Sequence, residues 1–188
     1  MRPGEPDRTP DPRLAELAAL LGERARQPVD DREAASIAAF RDALAHLDRP
    51  FDEGAATTHV TSSAIVVGPR GVLLHRHRRL GIWLQPGGHL EPGEPLAAGA
   101  AREAAEESGL AVSHPPGGPT LVHADVHEGA RGHTHLDLRW LLIADGPPRP
   151  PPGESQEVAW FPWDEACARA DPGLAGALRA LRPGHEPG

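Results

Sequence analysis

The sequence predicts an α+β protein, an α/β/α sandwich in which a mixed β-sheet is flanked by helices, with a helical extension at the N-terminus. Segments of strand-type alternation lie on both sides of one strongly patterned central helix. Two amphipathic helical patterns precede the first strand, and another follows the last. The 188 residues suit one domain or at most two.

Met1 to Pro10 and His185 to Gly188 are rich in proline, glycine and charge, the composition of disordered tails. Asp11-Pro12 opens a first helix, since proline suits the first helical position. Leu14, Leu17 and Leu21 share one face, and Gly22 with Pro28 bounds the element. A second helix opens at Asp30, with Glu33 as its capping-box partner. Its stripe is Ile37, Phe40, Leu44 and Leu47, and Pro50 ends it. Two short amphipathic helices cannot bury their stripes alone. They must pack on the main domain or on another copy of the chain, so a homodimer is one expectation. The expected division is 1–50 for the tail and two-helix extension, 51–184 for the main domain and 185–188 for the second tail.

From Thr58 the pattern turns to strands. Ala64–Val67 and Val72–His75 flank the turn Gly68-Pro69-Arg70-Gly71 and predict a hairpin. The central helix runs from about Pro95 to Ser108, with Pro95 suited to its first position and Gly109 to its C-terminal stop. Leu96, Ala100 and Ala104 repeat at every fourth position and can approach a sheet closely. Leu121–His127 and His133–Ile143 flank the turn Glu128–Gly132, a second hairpin. His114–Pro119 and Gly146–Gly153 are proline-rich connections. A last strand, Glu157–Phe161, leads into a helix carrying Ala166 to Leu181 with a break at Pro172.

Charge and composition narrow the function. Nineteen basic residues against 27 acidic ones give a net charge of −8, against the basic surplus of a protein that coats nucleic-acid phosphates. Every basic residue is arginine, and lysine, asparagine and tyrosine are absent, which marks a GC-rich genome rather than a function. The single cysteine, Cys167, excludes an intramolecular disulfide and a Cys-based zinc knuckle, and reads as a small buried helical residue. No apolar run approaches the ~20 residues of a membrane span. The proline-rich start lacks a signal peptide's apolar core, so a cytoplasmic protein is expected.

The chemistry concentrates in Leu84-Gln85-Pro86-Gly87-Gly88-His89-Leu90-Glu91-Pro92-Gly93-Glu94 and, further on, Arg102-Glu103-Ala104-Ala105-Glu106-Glu107-Ser108-Gly109-Leu110. Glu103 and Glu107 are one helical turn apart with Glu106 beside them, so three carboxylates share a face. They repel one another and sit near a helix C-terminus, where the macrodipole also disfavours anions. Bound cations offset this economically, and hard ions such as Mg²⁺ prefer such oxygen ligands.

These residues resemble the Nudix hydrolase signature G-x5-E-x7-R-E-U-x-E-E-x-G-U, where U is a bulky aliphatic residue. Gly88, Glu94, Arg102, Glu103, Glu106, Glu107, Gly109 and Leu110 match in spacing, and Ala104 is a small residue at an aliphatic position. Seven fixed identities at about 0.07 each, over the available start points, make a chance match on the order of 10⁻⁶. The resemblance implies a Nudix-like fold and Mg²⁺- or Mn²⁺-dependent cleavage of the diphosphate linkage of a nucleoside diphosphate derivative, by water attack on phosphorus. It implies Glu103, Glu106, Glu107 and the Gly87 carbonyl as metal ligands. Arg102 would orient the carboxylates, while Gly88 and Glu94 would support the loop. The base would be Glu103 or a later glutamate. Glu154 and Glu157 both lie before the Trp160 strand where the family often places one, and the looser loop position favours Glu154.

Two polar patches remain. His123, Asp125 and His127 alternate on one strand, and His133, His135, Asp137 and Arg139 on the next. Pairing His127 with His133 would set Asp125 opposite His135 and His123 opposite Asp137. The patch reads as a second metal site, a substrate-facing wall or a solvent-facing set of ion pairs, with His135 and Asp125 as candidates for substrate selection. In His75-Arg76-His77-Arg78-Arg79, Arg76 and Arg78 are candidates for phosphate binding, against the alternative of a solvated strand end. Trp83, Trp160 and Trp163 read as packing residues.

A non-catalytic Nudix-fold nucleotide-binding or regulatory module is the rival reading, disfavoured because the glutamates are complete. Isopentenyl-diphosphate isomerase chemistry needs an active-site cysteine that Cys167 does not supply. The proline of ADP-ribose-cleaving members, the tyrosine of diadenosine-polyphosphate members and the motif of NADH-cleaving members are all missing. Nucleoside triphosphates, nucleotide sugars and other nucleoside diphosphate derivatives stay open.

Overall fold

Thr58–Gly68 forms β1, the 11-residue strand on which the rest of the sheet is assembled. It extends six residues further toward the N-terminus than the alternating pattern suggested, and its middle eight residues are buried. Burial on both faces hides alternation. The computed structural model describes residues 11–79, 81–129 and 132–184, so both expected tails lie outside the described residues.

β1 pairs antiparallel with β2 (Gly71–Arg76) across the predicted turn and parallel with β6 (Thr134–Ile143). β5 (Leu121–Glu128) pairs with β6 at one edge, and β3 (Trp83–Leu84) and β7 (Val158–Phe161) both pair with β2. The loop expected around Gly87 and Gly88 instead contains a short strand, β4 (Gly87–His89), hydrogen-bonded to β1. Gly87 packs there because a Cβ would collide with Ser63. Among the described residues these make one mixed seven-stranded sheet.

The hairpin between β5 and β6 corrects the expected register. Gly129 donates its N–H to the His133 carbonyl, so pairing starts at Glu128 with Thr134. The partners are His127 with His135, Asp125 with Asp137 and His123 with Arg139. The side chains keep their predicted face, but each meets a residue two places further along β6.

Helices cover both faces. α1 (Arg13–Arg24), α2 (Asp31–Leu44) and α3 (Leu96–Ser108) share one core with the sheet. There Leu17, Leu21, Ile37 and Phe40 pack with Leu96, Ala100, Ala104 and the β1 residues Val60, Ala64 and Val66. The stripes of α1 and α2 are therefore consumed within the chain. α2 also closes the β5 edge, its Glu33 and Ser36 side chains accepting the Ala124 and Val126 N–H groups. Glu33 does not complete a capping box. Asp30 caps the helix, but the Glu33 carboxylate bonds Val29 and Arg24 instead.

The opposite face packs Ile65, Leu74, Val122 and Phe161 against α4 (Trp163–Arg169) and α5 (Pro172–Leu181). The expected terminal helix is thus two helices, with Asp171 capping the second through Gly173 and Leu174. No described helix is long and apolar enough to cross a membrane.

Candidate active site

α3 ends at Gly109 in a left-handed conformation, φ 66°, where a Cβ would strike the Arg149 carbonyl. This stop places Glu103, Glu106 and Glu107 in the last two turns, with Leu96, Ala100 and Ala104 buried on the adjoining face. Burying the small face brings the carboxylates of Glu103 and Glu107 down onto β4. A Cβ on Gly88 would meet the Glu103 carboxylate, and the Gly87 N–H donates to Glu107 Oε2 at 2.9 Å. The two glycines are the side-chain-free floor on which the acids sit.

Arg102 organises this floor. Its Nε and Nη2 donate to the two Glu94 oxygens at 2.9 and 3.1 Å, and Nη1 donates to Glu103 at 2.8 Å and Glu106 at 3.2 Å. Nη2 also donates to the His89 carbonyl at 2.9 Å, tying α3 to the end of β4. Glu94 accepts the Glu91 N–H, which fixes the connecting loop. The Glu94 hydrogen bond leads in holding the Arg102 proton more tightly than usual. Burial would raise the Glu94 carboxyl, but its bonds to Arg102 and Glu91 outweigh that and lower it.

Among the described residues no arginine bonds Glu107 in this way. Burial first, then the charges of Glu103, Glu154 and Glu106, push its carboxyl up to about 8 despite the Gly87 N–H. Burial also raises Glu103, with Glu106 and Glu94 adding to the effect against Arg102. His75 lies 3.5 Å from Glu107, but burial and the neighbouring His77 drive its imidazole down to about 4, so it offers no compensating charge. The site has more negative charge than the protein neutralises.

This arrangement coincides with a known domain. The sequence matches the NUDIX domain profile over residues 57–181. The chain belongs to the Nudix family. A Nudix-family hydrolase from Clostridium perfringens superposes with a TM-score of 0.54 at 27% identity, covering 66% of this chain and 98% of that one. A MutT Nudix hydrolase from Burkholderia pseudomallei gives 0.54 at 26%, covering 65% and 97%. A Nudix hydrolase from Nitrosomonas europaea gives 0.52 at 26%, covering 63% and 84%. No protein of curated function matches the chain.

In this Nudix chain the two later glutamates separate. Glu154 is near enough for its charge to act on Glu107, whereas Glu157 pairs with Arg76 at 3.1 Å. Arg78 donates to the Glu154 carbonyl, and Arg76 and Arg78 line a cleft of about 410 Å³ with His77, Ser155 and Glu157. Trp83 packs edge-on to Phe161, and Trp160 bonds the Gly146 carbonyl, both in packing roles.

The β5–β6 patch differs from its expected form. Asp125, 1% exposed, accepts from Arg139 at 3.0 Å and Ser36 at 3.3 Å, with Arg32 at 3.6 Å. Asp137 accepts from Thr61, Ser63 and Arg139 at 3.0, 2.7 and 3.3 Å. These acids form a buried network engaged by the protein's own donors, which withdraws Asp125 from solvent, while His127, His133 and His135 on the patch stay half-buried. Burial would raise the Asp125 carboxyl, but His127 and Arg139 outweigh it and hold it far below its usual range. His135 turns toward His59 and His89, two histidines with no place in the local pattern.

Proposed function

We propose that this Nudix chain is a Mg²⁺- or Mn²⁺-dependent pyrophosphohydrolase acting in the cytoplasm on a small nucleoside diphosphate derivative. One observation carries the reading: Glu103 and Glu107 are desolvated on a single helix face, and Arg102, bonded to Glu103 and not to Glu107, only partly offsets their mutual repulsion. The helix side chains on that face offer carboxylate oxygens, the donors that hard divalent cations take. Glu103, Glu106, Glu107 and the Gly87 carbonyl would hold the cations. Bound there, the ions would neutralise pyrophosphate charge and favour water attack on phosphorus.

The chain's own residues do the rest. Arg102 keeps the Glu103 carboxylate from rotating away and, through Glu94 and the His89 carbonyl, holds the β4 floor in register with α3. Glu154 is our candidate for accepting the proton of the attacking water, with Glu103 as the alternative. Glu157 instead holds Arg76 at the cleft wall. Arg76 and Arg78 are the cationic side chains we assign to the substrate's phosphates. The functional unit is 51–184, and residues 1–50 serve packing through α1 and α2.

A panel of nucleoside triphosphates, nucleotide sugars and dinucleoside polyphosphates tests this, with Mg²⁺, with Mn²⁺ and with chelator. With either metal, and not with chelator, cleavage should give a shorter nucleotide with pyrophosphate or phosphate from triphosphates, a nucleoside monophosphate with a sugar phosphate from nucleotide sugars, or two nucleotides from dinucleoside polyphosphates. Tight nucleotide binding without turnover under every condition would establish the non-catalytic module instead.

A further inference from the structure

On the opposite side of the β4 pleat from the glutamates, three strands bring His59, His89 and His135 together. His59 of β1 pairs across to His135 of β6, and His89 of β4 pairs with Thr61, one step along the same face of β1. Their ligand nitrogens lie within 4.8 Å of one another, and their ring centroids within 5.6 Å. Thr61, Ser63, Asp137 and Arg139, further along this face, are engaged in the buried ion network, while the rings of His133 and His127 pack edge-on against His59 and His135.

The hydrogen bonds of two of these rings fix where their lone pairs point. His59 Nδ1 lies 3.2 Å from the Ala56 carbonyl, which can only accept, so Nδ1 carries the proton and Nε2 is a bare lone pair. His89 Nδ1 lies 3.0 Å from the Glu53 carboxylate, which again accepts and leaves Nε2 as the nitrogen without a partner. Both Nε2 atoms are buried and have no partner, and His59 is only 1% exposed. A buried polar nitrogen left unmet costs about 1–3 kcal/mol, and this cluster holds two.

We propose that His59, His89 and His135 form a transition-metal site, for Zn²⁺ or a neighbouring first-row ion, separate from the carboxylate site and independent of the hydrolytic reading. Three imidazoles with an open fourth position suit zinc and its neighbours, whereas hard Mg²⁺ prefers oxygen. The Ala56 carbonyl and Glu53 carboxylate occupy the remote ring nitrogens, as outer partners of ligating histidines do. Ligands at 2.0–2.1 Å around a tetrahedral ion stand about 3.3 Å apart, so the ion would draw the rings inward by about 1 Å. His89, whose side chain is 41% exposed, has room for that shift. The ion would fasten the end of β4, and hence the Gly87-Gly88 floor, to β1 and β6.

Co²⁺ added to the untagged, metal-stripped full chain in saturating Mg²⁺ tests the site. The site predicts one tightly held equivalent, with the intense visible bands of tetrahedral nitrogen-ligated cobalt, displaced by Zn²⁺. His89→Gln and His135→Gln should each weaken binding at least tenfold, and Glu53→Gln about tenfold. Both His89 and Glu53 are exposed enough for their variants to fold, which circular dichroism checks. Glu103→Gln and Glu107→Gln should leave the bands unchanged. Absence of one Mg²⁺-resistant equivalent, or loss of the bands in the glutamate variants but not in His89→Gln, would overturn the site. Neither result bears on whether the chain hydrolyses diphosphates.

Discussion

At the end of α3 the protein buries carboxylates and shares one arginine among Glu94, Glu103 and Glu106, leaving Glu107 a backbone N–H and a neutral histidine. Between β5 and β6 it buries two more, Asp125 and Asp137, and surrounds them with Arg139, Arg32, Ser36, Thr61 and Ser63. The outcomes are opposite in sign. Glu107 is pushed up to about 8, while Asp125 is held below its usual range. Burial is the largest influence on both, so what separates them is the supply of donors. A buried acid that the protein satisfies is structural. One that it leaves short of positive charge is a place for something to bind.

Removing Arg139 should give the largest effect. Arg139→Met removes the one buried cation that Asp125 and Asp137 share, and breaking a buried pair this way costs about 3–5 kcal/mol. Urea unfolding should show that loss. A change under 1 kcal/mol would mean that the network is not what holds the β5–β6 face.

Glu103→Gln should act on turnover instead. Losing a carboxylate that neutralises and places the cations should lower kcat/KM at least about a hundredfold, roughly 3 kcal/mol, with folding stability retained. Comparable stability losses at Glu103 and Arg139 would erase the distinction between the two clusters. Arg102→Lys is subtler, because it keeps the charge and loses the forked geometry that grips Glu94 and Glu103 together. A loss of about 10–100-fold in metal affinity or activity is expected, the range for groups that orient ligands. A metal titration of the variant reads it.

The two clusters were unequally legible in the sequence. The α3 site is local: helical periodicity puts Glu103 and Glu107 on one face, and Gly109 marks the stop, so chain order suffices. The β5–β6 face was legible in parity but not in register, because His133 closes the turn with Gly129, two residues beyond the His127 that the loop composition suggested. That shift brings Arg139 opposite His123 and converts an apparent surface patch into a buried network. His59 and His89 carried no signal. His135 meets His59 through a parallel pairing with no local sequence signature, and His89 sits in a three-residue strand whose other members are glycines. Strand β1 was foreshortened for a related reason, since burial on both faces removes alternation.

Glu107 lacks positive charge until a cation binds, and thermal unfolding against pH, with and without Mg²⁺, reads that shortage. In the metal-free fold Glu107 keeps its proton to about pH 8, where an unfolded glutamate releases it near 4.5. Across that window the folded chain holds a proton that the unfolded chain has lost, so the Glu107 contribution is full below 4.5 and disappears as pH rises through 8. In chelator, the Tm of the wild type should therefore fall relative to Glu107→Gln between pH 5 and 8, in order-of-magnitude keeping with that shift. Mg²⁺ should restore the wild type at pH 8 and leave Glu107→Gln much less affected. Parallel pH curves for the two proteins, or a Tm indifferent to Mg²⁺ at pH 8, would contradict the account.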